Sequence, residues 1–202
     1  MTLKKAFKHA KEHGPSDETR QIACKDPEYA YEYAFYIDKC PREDTRNAAC
    51  EDLEYAYYYA RAVDKCPNEK TRNTVCEDPE WAYYYAKHVD KCPRESTRNA
   101  ACKDPFYAYC YAEVIDCGCP QTNTREAACK NPEYAYKYAK EIDRRPYRKT
   151  REAVCKNPEY AYLYAKDVDK ESSNETWMAV KNTKYEEEYR KLFNDPIKEL
   201  II

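Results

Sequence analysis

The sequence predicts an all-α protein, a right-handed α-solenoid of short-long helical hairpins. Three observations predict it. A Thr-Arg-x-x-x-Cys segment recurs six times, an aromatic-Ala-Tyr-x-Tyr-Ala block follows each copy, and the threonines are spaced by 26 residues with one interval of 27. A fixed period of this length is typical of stacked repeats that bury their apolar faces against one another, as HEAT and TPR units do.

The period divides the chain into three parts. Residues 1–18 form an N-terminal capping half-repeat, with a helix from Ala6 to His13. Residues 19–175 hold six repeats, and the unbroken period favours one elongated body. Residues 176–202 form a degenerate capping repeat and a tail ending in Leu200-Ile201-Ile202, which is expected to fold back or to pair with a second copy as a homodimer.

Each repeat starts with a short helix, which we predict from Arg20 to Lys25 in the first copy, with Thr19 as its N-cap. A long helix then runs from Pro27 to about Lys39. Asp or Asn before Pro is a strong start signal, because the side chain caps the helix and proline loses no hydrogen bond at the first position. The following Cys-Pro ends the helix, because the residue before proline disfavours helical angles.

The long helix has one broad buried stripe. At 100° per residue, Tyr29, Ala30, Tyr33, Ala34 and Ile37 fall within about 140° of one another. In the seventh copy, charged residues replace the corresponding alanines. Because terminal repeats need a polar outer face, the alanines are predicted to be the close-approach surface between successive long helices.

Composition excludes several function classes. The net charge of -2 argues against a strongly basic nucleic-acid binder and against a strongly acidic DNA mimic. No apolar run is long enough for a signal peptide or a membrane span, so a cytoplasmic location and no membrane partner are expected. With only two glycines, phosphate-binding and dinucleotide-binding glycine loops are excluded.

A row of tyrosines next to the buried stripe is the candidate surface for binding a partner, because flat amphipathic rings are common in binding sites. The row, which we call the tyrosine ladder, consists of Tyr31, Tyr57, Tyr83, Tyr109, Tyr136 and Tyr162. The adjacent Tyr58 and Tyr84 belong to the same candidate surface. Two other interpretations stay open: that the rings pack between repeats, or that they stack on the bases of a nucleic acid or nucleotide. The position after each ladder tyrosine varies between repeats, and specificity is expected there: Glu32, Tyr58, Tyr84, Cys110, Lys137 and Leu163.

A charged set recurs in phase with the repeats. Arginines start the short helices at Arg20, Arg46, Arg72, Arg98, Arg125 and Arg151, and aspartates end the long helices at Asp38, Asp64, Asp90, Asp116, Asp143 and Asp169. Because an aspartate near a helix C-terminus is unfavourable for the helix dipole, we expect each one to pair with an arginine as a structural ladder. A ligand-facing charged row is the alternative.

Nothing in the sequence has the arrangement of an active site, and neither a cofactor nor a metal is expected. The six cysteines of the short helices are in phase with apolar positions and are predicted to be buried thiols. A soft-metal site around Cys117-Gly118-Cys119 and the H-x-x-E-H letters from His9 to His13 leave a metal-dependent enzyme as an alternative.

The stretch from Ala153 to Ala165, with its Asn157-Pro158 helix start and tyrosine block, resembles short helical repeats found in bacteria, protists and large viruses. Its tyrosine-rich D-P-x-Y-A-Y blocks resemble those of tailed-phage accessory proteins. This resemblance implies a helical solenoid without catalytic residues. By analogy it also implies a phage or viral factor that sequesters or inhibits a host defence protein in the host cytoplasm. A non-enzymatic scaffold that binds a partner protein is therefore the leading hypothesis.

Overall fold

The computed structural model describes residues 1–194 and confirms an all-α repeat fold, with fifteen helices and no strand among those residues. The tail Leu200-Ile201-Ile202, predicted to fold back or to form a dimer, lies outside the described residues.

The helices alternate between short and long. The N-terminal helix α1 is Leu3–His13. The short helices are α2 Asp17–Ala23, α4 Glu43–Ala49, α6 Glu69–Val75, α8 Glu95–Ala101, α10 Thr122–Ala128, α12 Arg148–Val154 and α14 Asn174–Val180. The long helices begin as α3 Pro27–Glu32, α5 Leu53–Tyr58, α7 Pro79–Tyr85, α9 Pro105–Cys110, α11 Pro132–Lys137 and α13 Pro158–Tyr164. The last described helix is α15, Glu186–Leu192.

Every long helix continues as a π-helix, which the sequence did not predict. These segments are Tyr33–Asp38, Tyr59–Asp64, Ala86–Asp90, Tyr111–Ile115, Tyr138–Asp143 and Ala165–Asp169. In this wider turn a backbone N–H donates to the carbonyl five residues back, as that of Lys65 does to Ala60 at 3.0 Å. The first long helix stops at Lys39, which has left-handed backbone angles with φ 54°.

The chain divides into two compact units, Met1–Ala101 and Cys102–Ile202. In the first unit, α3, α5 and α7 pack side by side, and each also packs on the short helix that follows it. In the second unit, α9, α11 and α13 pack in the same way with α10, α12 and α14. Alanines on the long helices, such as Ala34, Ala60, Ala139 and Ala165, are fully buried, so neighbouring helices approach closely at these positions.

The predicted start of the long helices is confirmed and that of the short helices is wrong. Asp26 caps α3, and its side chain accepts a hydrogen bond from the Tyr29 N–H at 3.1 Å. Thr19, however, is not the cap of α2. Ser16 is the N-cap, and Thr19 occupies the third helical position, where it is buried. The reason is a tertiary contact: the Thr19 hydroxyl is hydrogen-bonded to the Tyr33 hydroxyl of the long helix at 2.7 Å.

Candidate functional site

A threonine-tyrosine hydrogen bond fixes the short helices α2, α4, α6, α10, α12 and α14 to the helix that follows each of them. In the second repeat the oxygens of Thr45 and Tyr59 lie 2.8 Å apart, and the Arg42 N–H donates to the Tyr59 oxygen at 2.9 Å. The same contact joins Thr19 to Tyr33, Thr71 to Tyr85, Thr124 to Tyr138, Thr150 to Tyr164 and Thr176 to Tyr189. These tyrosines are all fully buried, and burial raises the pKa of Tyr59 and of Tyr164.

The arginine and aspartate rows come together within repeats. The pairs are Arg20 with Asp38 at 2.8 Å, Arg46 with Asp64 at 2.7 Å, Arg72 with Asp90 at 2.6 Å, Arg125 with Asp143 at 2.6 Å and Arg151 with Asp169 at 2.8 Å. In the fourth repeat, Arg98 belongs to the first unit and Asp116 to the second. The paired aspartate side chains are almost fully buried, so the pairs brace the end of each long helix and do not present carboxylates to a ligand.

The tyrosine ladder does not form an exposed face. The side chains of Tyr57, Tyr83 and Tyr109 are buried, at 4%, 8% and 8% exposure. The other proposed partner-binding residues are half-buried: Tyr31, Tyr136, Tyr162, Tyr58 and Tyr84. The physical reason is that the first turn of the next long helix covers the rings.

The ring contacts show this cover directly. In the first unit the ring of Tyr57 lies 5.4 Å from that of Trp81, and in the second unit the ring of Tyr136 lies 6.2 Å from that of Tyr160. At the end of the chain, Tyr162 stacks on Tyr185 at 5.9 Å. The next helix therefore covers part of each of these rings.

The hydroxyl groups of the ladder point to a position that sequence reasoning missed. The Tyr57 hydroxyl is hydrogen-bonded to His88 Nδ1 on the next long helix at 2.8 Å, and it accepts from Arg61 at 3.1 Å. Burial, with the charges of Arg61 and Lys87, lowers the pKa of His88.

The second unit has the same arrangement with different side chains. The Tyr136 hydroxyl donates to Asp167 at 2.5 Å and accepts from Lys140 at 2.9 Å. The Tyr109 hydroxyl donates to Glu141. Burial and these carboxylates raise the pKa of both tyrosines. The tyrosines are constant, whereas the residues that surround their hydroxyls change from repeat to repeat.

These changing residues form two neighbouring positions on each long helix, which we call the rim pairs. In the first unit they are Phe35-Tyr36, Arg61-Ala62 and Lys87-His88, and in the second unit Glu113-Val114, Lys140-Glu141 and Lys166-Asp167. Nine of the twelve residues are exposed and three are half-buried. The positions expected from the sequence to carry specificity, such as Glu32, Cys110 and Leu163, are only half-buried and lie deeper.

The cysteines fall into two environments, and all twelve are free thiols. At the ends of the short helices, Cys50 is buried as predicted, whereas the other five cysteines are half-buried. Burial raises the pKa of Cys24, Cys129 and Cys155 to about 11. Cys117 and Cys119, by contrast, are exposed. Residues 1–194 contain no group of three or more histidine, cysteine, aspartate or glutamate side chains that could hold a metal ion. His9, Glu12 and His13 are exposed on α1.

Comparison of the chain with protein-family models, with curated proteins and with solved structures finds no match in any of the three. Within residues 1–194, every helix is too short or too polar to cross a membrane.

Proposed function

We propose that the protein is a non-enzymatic α-helical scaffold that binds a partner protein through its rim pairs. By analogy with the tyrosine-rich repeats of phages, the partner is a host protein, such as a defence component, that the scaffold sequesters or inhibits. The observation that carries this proposal is the contrast within each repeat between constant, buried frame residues and exposed residues that change.

The frame residues are the bonded threonines and tyrosines, the paired arginines and aspartates, and the buried alanines, and they account for the regularity of the sequence. In both units the threonine-tyrosine bonds and the Arg-Asp pairs hold hairpins together, and these contacts are buried and alike from repeat to repeat. The rim pairs, in contrast, include aromatic, aliphatic, basic and acidic residues at equivalent exposed positions. A surface whose chemistry differs from repeat to repeat on a constant frame is how repeat proteins create specific binding faces.

The first rim pair is the strongest candidate anchor. Phe35 is 39% exposed and Tyr36 is 52% exposed, and their rings lie edge to face at 4.8 Å. Tyr31 stacks beneath Phe35 at 5.9 Å, and the Lys11 ammonium lies 5.5 Å from the centre of the Tyr36 ring. Exposed aromatic rings that are held in place this way give large contact area at low entropic cost, as in binding hot spots.

The test is affinity capture with matched variants. Wild type, the double variant Phe35→Ser/Tyr36→Ser and the control Phe106→Ser would be immobilised and exposed to lysate of a candidate host. Phe106 is 43% exposed at the start of α9 and is not a rim residue, so the control removes a similar exposed ring. We expect a specific protein to be retained by wild type and control and lost from the double variant. Equal retention by all three, or no specific capture, would refute the proposal.

A further inference from the structure

The long helices end in an unusual way. Five of the six have a basic residue with left-handed backbone angles just after their last turn: Lys39, Lys65, Lys91, Arg144 and Lys170, with φ between 52° and 58°. Glycine or asparagine is the usual choice at this place, because a side chain strains this conformation. A cation there does interact favourably with the negative end of the helix dipole. Because neighbouring long helices end next to each other, two of these basic residues lie close to the space between the helix ends.

In the second unit, a groove lies between the C-terminal ends of the two long helices that begin as α11 and α13. Its volume is about 350 Å³, and Ala139, Pro146 and Val168 form its apolar part. The charged lining consists of four cations and one anion, Lys140, Arg144, Arg145, Lys170 and Asp167. The lining therefore carries a net charge of three positive units.

The single anion of the groove is already satisfied. Asp167 accepts a hydrogen bond from Lys140 at 2.8 Å and another from the Tyr136 hydroxyl. The Arg144 side chain donates to the Glu141 carbonyl at 3.1 Å, and it has no ion-pair partner in the part of the chain that the structure describes. Within residues 1–194, neither Arg145 nor Lys170 has an ion-pair partner.

The fold does not require all of this charge. The first unit has an equivalent groove, in which Lys39 and Lys65 correspond to Arg144 and Lys170, and the uncharged Phe35 and Ala62 correspond to the paired Lys140 and Asp167. Arg145 stands where the first four repeats have a cysteine, at Cys40, Cys66, Cys92 and Cys119. The repeat therefore forms with an uncharged residue at this position, and the added arginine is available for a ligand.

We infer that the groove between α11 and α13 binds a phosphorylated side chain of the partner protein, and in this the inference rests on the proposed function. A phosphate monoester brings nearly two negative charges and three acceptor oxygens to one point, which matches three uncompensated cations better than a single carboxylate does. Arginine also matches phosphate geometry with paired N–H donors.

The test is an NMR titration of the full-length, ¹⁵N-labelled protein with a ten-residue peptide that contains one phosphoserine. The same peptide with serine, the same peptide with glutamate, and a single-stranded oligonucleotide serve as comparison ligands. We expect the phosphopeptide to shift amides within residues 139–146 and 165–170. We also expect binding to weaken as salt is added, and the serine and glutamate peptides to bind at least tenfold more weakly.

Two variants separate a built site from general attraction. Arg145→Ser should weaken phosphopeptide binding about tenfold, the loss of one charge-assisted hydrogen bond. Arg148→Ser removes the same charge three residues away, from a side chain that is 89% exposed and paired with Glu152, and should change affinity less than twofold. Equal effects of the two variants, shifts outside the groove, or tighter binding of the glutamate peptide or the oligonucleotide would overturn the inference.

The two proposals fail in different ways. If Phe35→Ser/Tyr36→Ser abolishes capture of a partner while the phosphopeptide has no effect on residues 139–146, the scaffold function stands and the phosphate site does not. If the phosphopeptide binds at the groove but no partner is captured, the site stands and the protein-binding function does not.

Discussion

The hydroxyl of Tyr59 gives the sharpest test of what stabilises the repeat. It takes part in three hydrogen bonds: it accepts from the Arg42 N–H at 2.9 Å, it donates to the Arg42 carbonyl at 3.0 Å, and it shares a bond with the Thr45 hydroxyl at 2.8 Å. Tyr59→Phe removes these bonds and keeps the ring, so no cavity forms. At about 1 kcal/mol net for each bond the loss would be about 3 kcal/mol.

One compensation lowers this figure. The Thr45 hydroxyl already lies 3.3 Å from the Arg42 carbonyl and can donate to it once Tyr59 no longer competes. We therefore expect Tyr59→Phe to lower the free energy of unfolding by about 2 kcal/mol, measured by urea denaturation followed by circular dichroism. Tyr55→Phe is the matched control, because Tyr55 is on the same helix and is half-buried, with no hydrogen bond to its hydroxyl among the described residues. Its effect should stay within about 0.5 kcal/mol. If the two variants have the same stability, the argument from the hydroxyl is wrong.

Three further predictions concern the frame. Arg72→Met leaves the carboxylate of Asp90 buried without its ion-pair partner and should lower the free energy of unfolding by about 3 kcal/mol. The double variant Arg72→Met/Asp90→Leu should recover at least half of this loss. Similar losses for the single and the double variant in urea denaturation would contradict this. Burial raises the pKa of Tyr85 above its ordinary value of about 10, so its contribution is complete below that pH and is lost as pH rises through the folded-state pKa. The raised pKa values of the Cys24, Cys129 and Cys155 thiols act in the same direction from about pH 8.5, the ordinary pKa of a thiol. Urea midpoints should therefore hold constant from pH 7 to 8 and fall at higher pH, and a midpoint that stays flat to pH 11 would refute this. With a pKa of about 11 the Cys129 thiol is less than about 1% ionised at pH 8, so alkylation followed by mass spectrometry should label exposed Cys40 at least about tenfold faster; equal rates would contradict the assignment.

Local signals in the sequence were enough to predict where the long helices begin. An Asp or Asn followed by Pro sets a helix start through the capping side chain and the first backbone angle, both within three residues, and the structure agrees at Asp26 and Asn157. The π-helical segments were not predictable in this way. No proline or glycine marks the point near Tyr33 or Tyr59 where the helix widens, so the change depends on packing between helices.

The candidate site was harder to predict, because burial at the edge of a helix depends on its neighbour. The helical spacing correctly places Tyr57 next to the buried alanines of its helix. The sequence does not show, however, how far the first turn of the next long helix extends over the Tyr57 ring. Trp81 covers the Tyr57 ring from that turn. The rim pairs did leave a signal, since Phe35-Tyr36 and Lys140-Glu141 are equivalent positions with unrelated chemistry.

The separation of frame and rim explains how one repeat can be copied and still diversify. Substitutions at exposed positions away from caps, cores and buried pairs change stability by less than about 0.5 kcal/mol, whereas loss of a buried partner costs several times more. Phe35, Glu113 and Lys166 therefore vary on helices whose Ala, Tyr and Asp residues do not. The ladder tyrosines connect the two sets, because their rings belong to the frame and their hydroxyls bond to rim side chains such as His88 and Asp167. A partner that engages the rim would thus contact side chains that buried hydroxyls already hold in position, which reduces the entropy lost on binding.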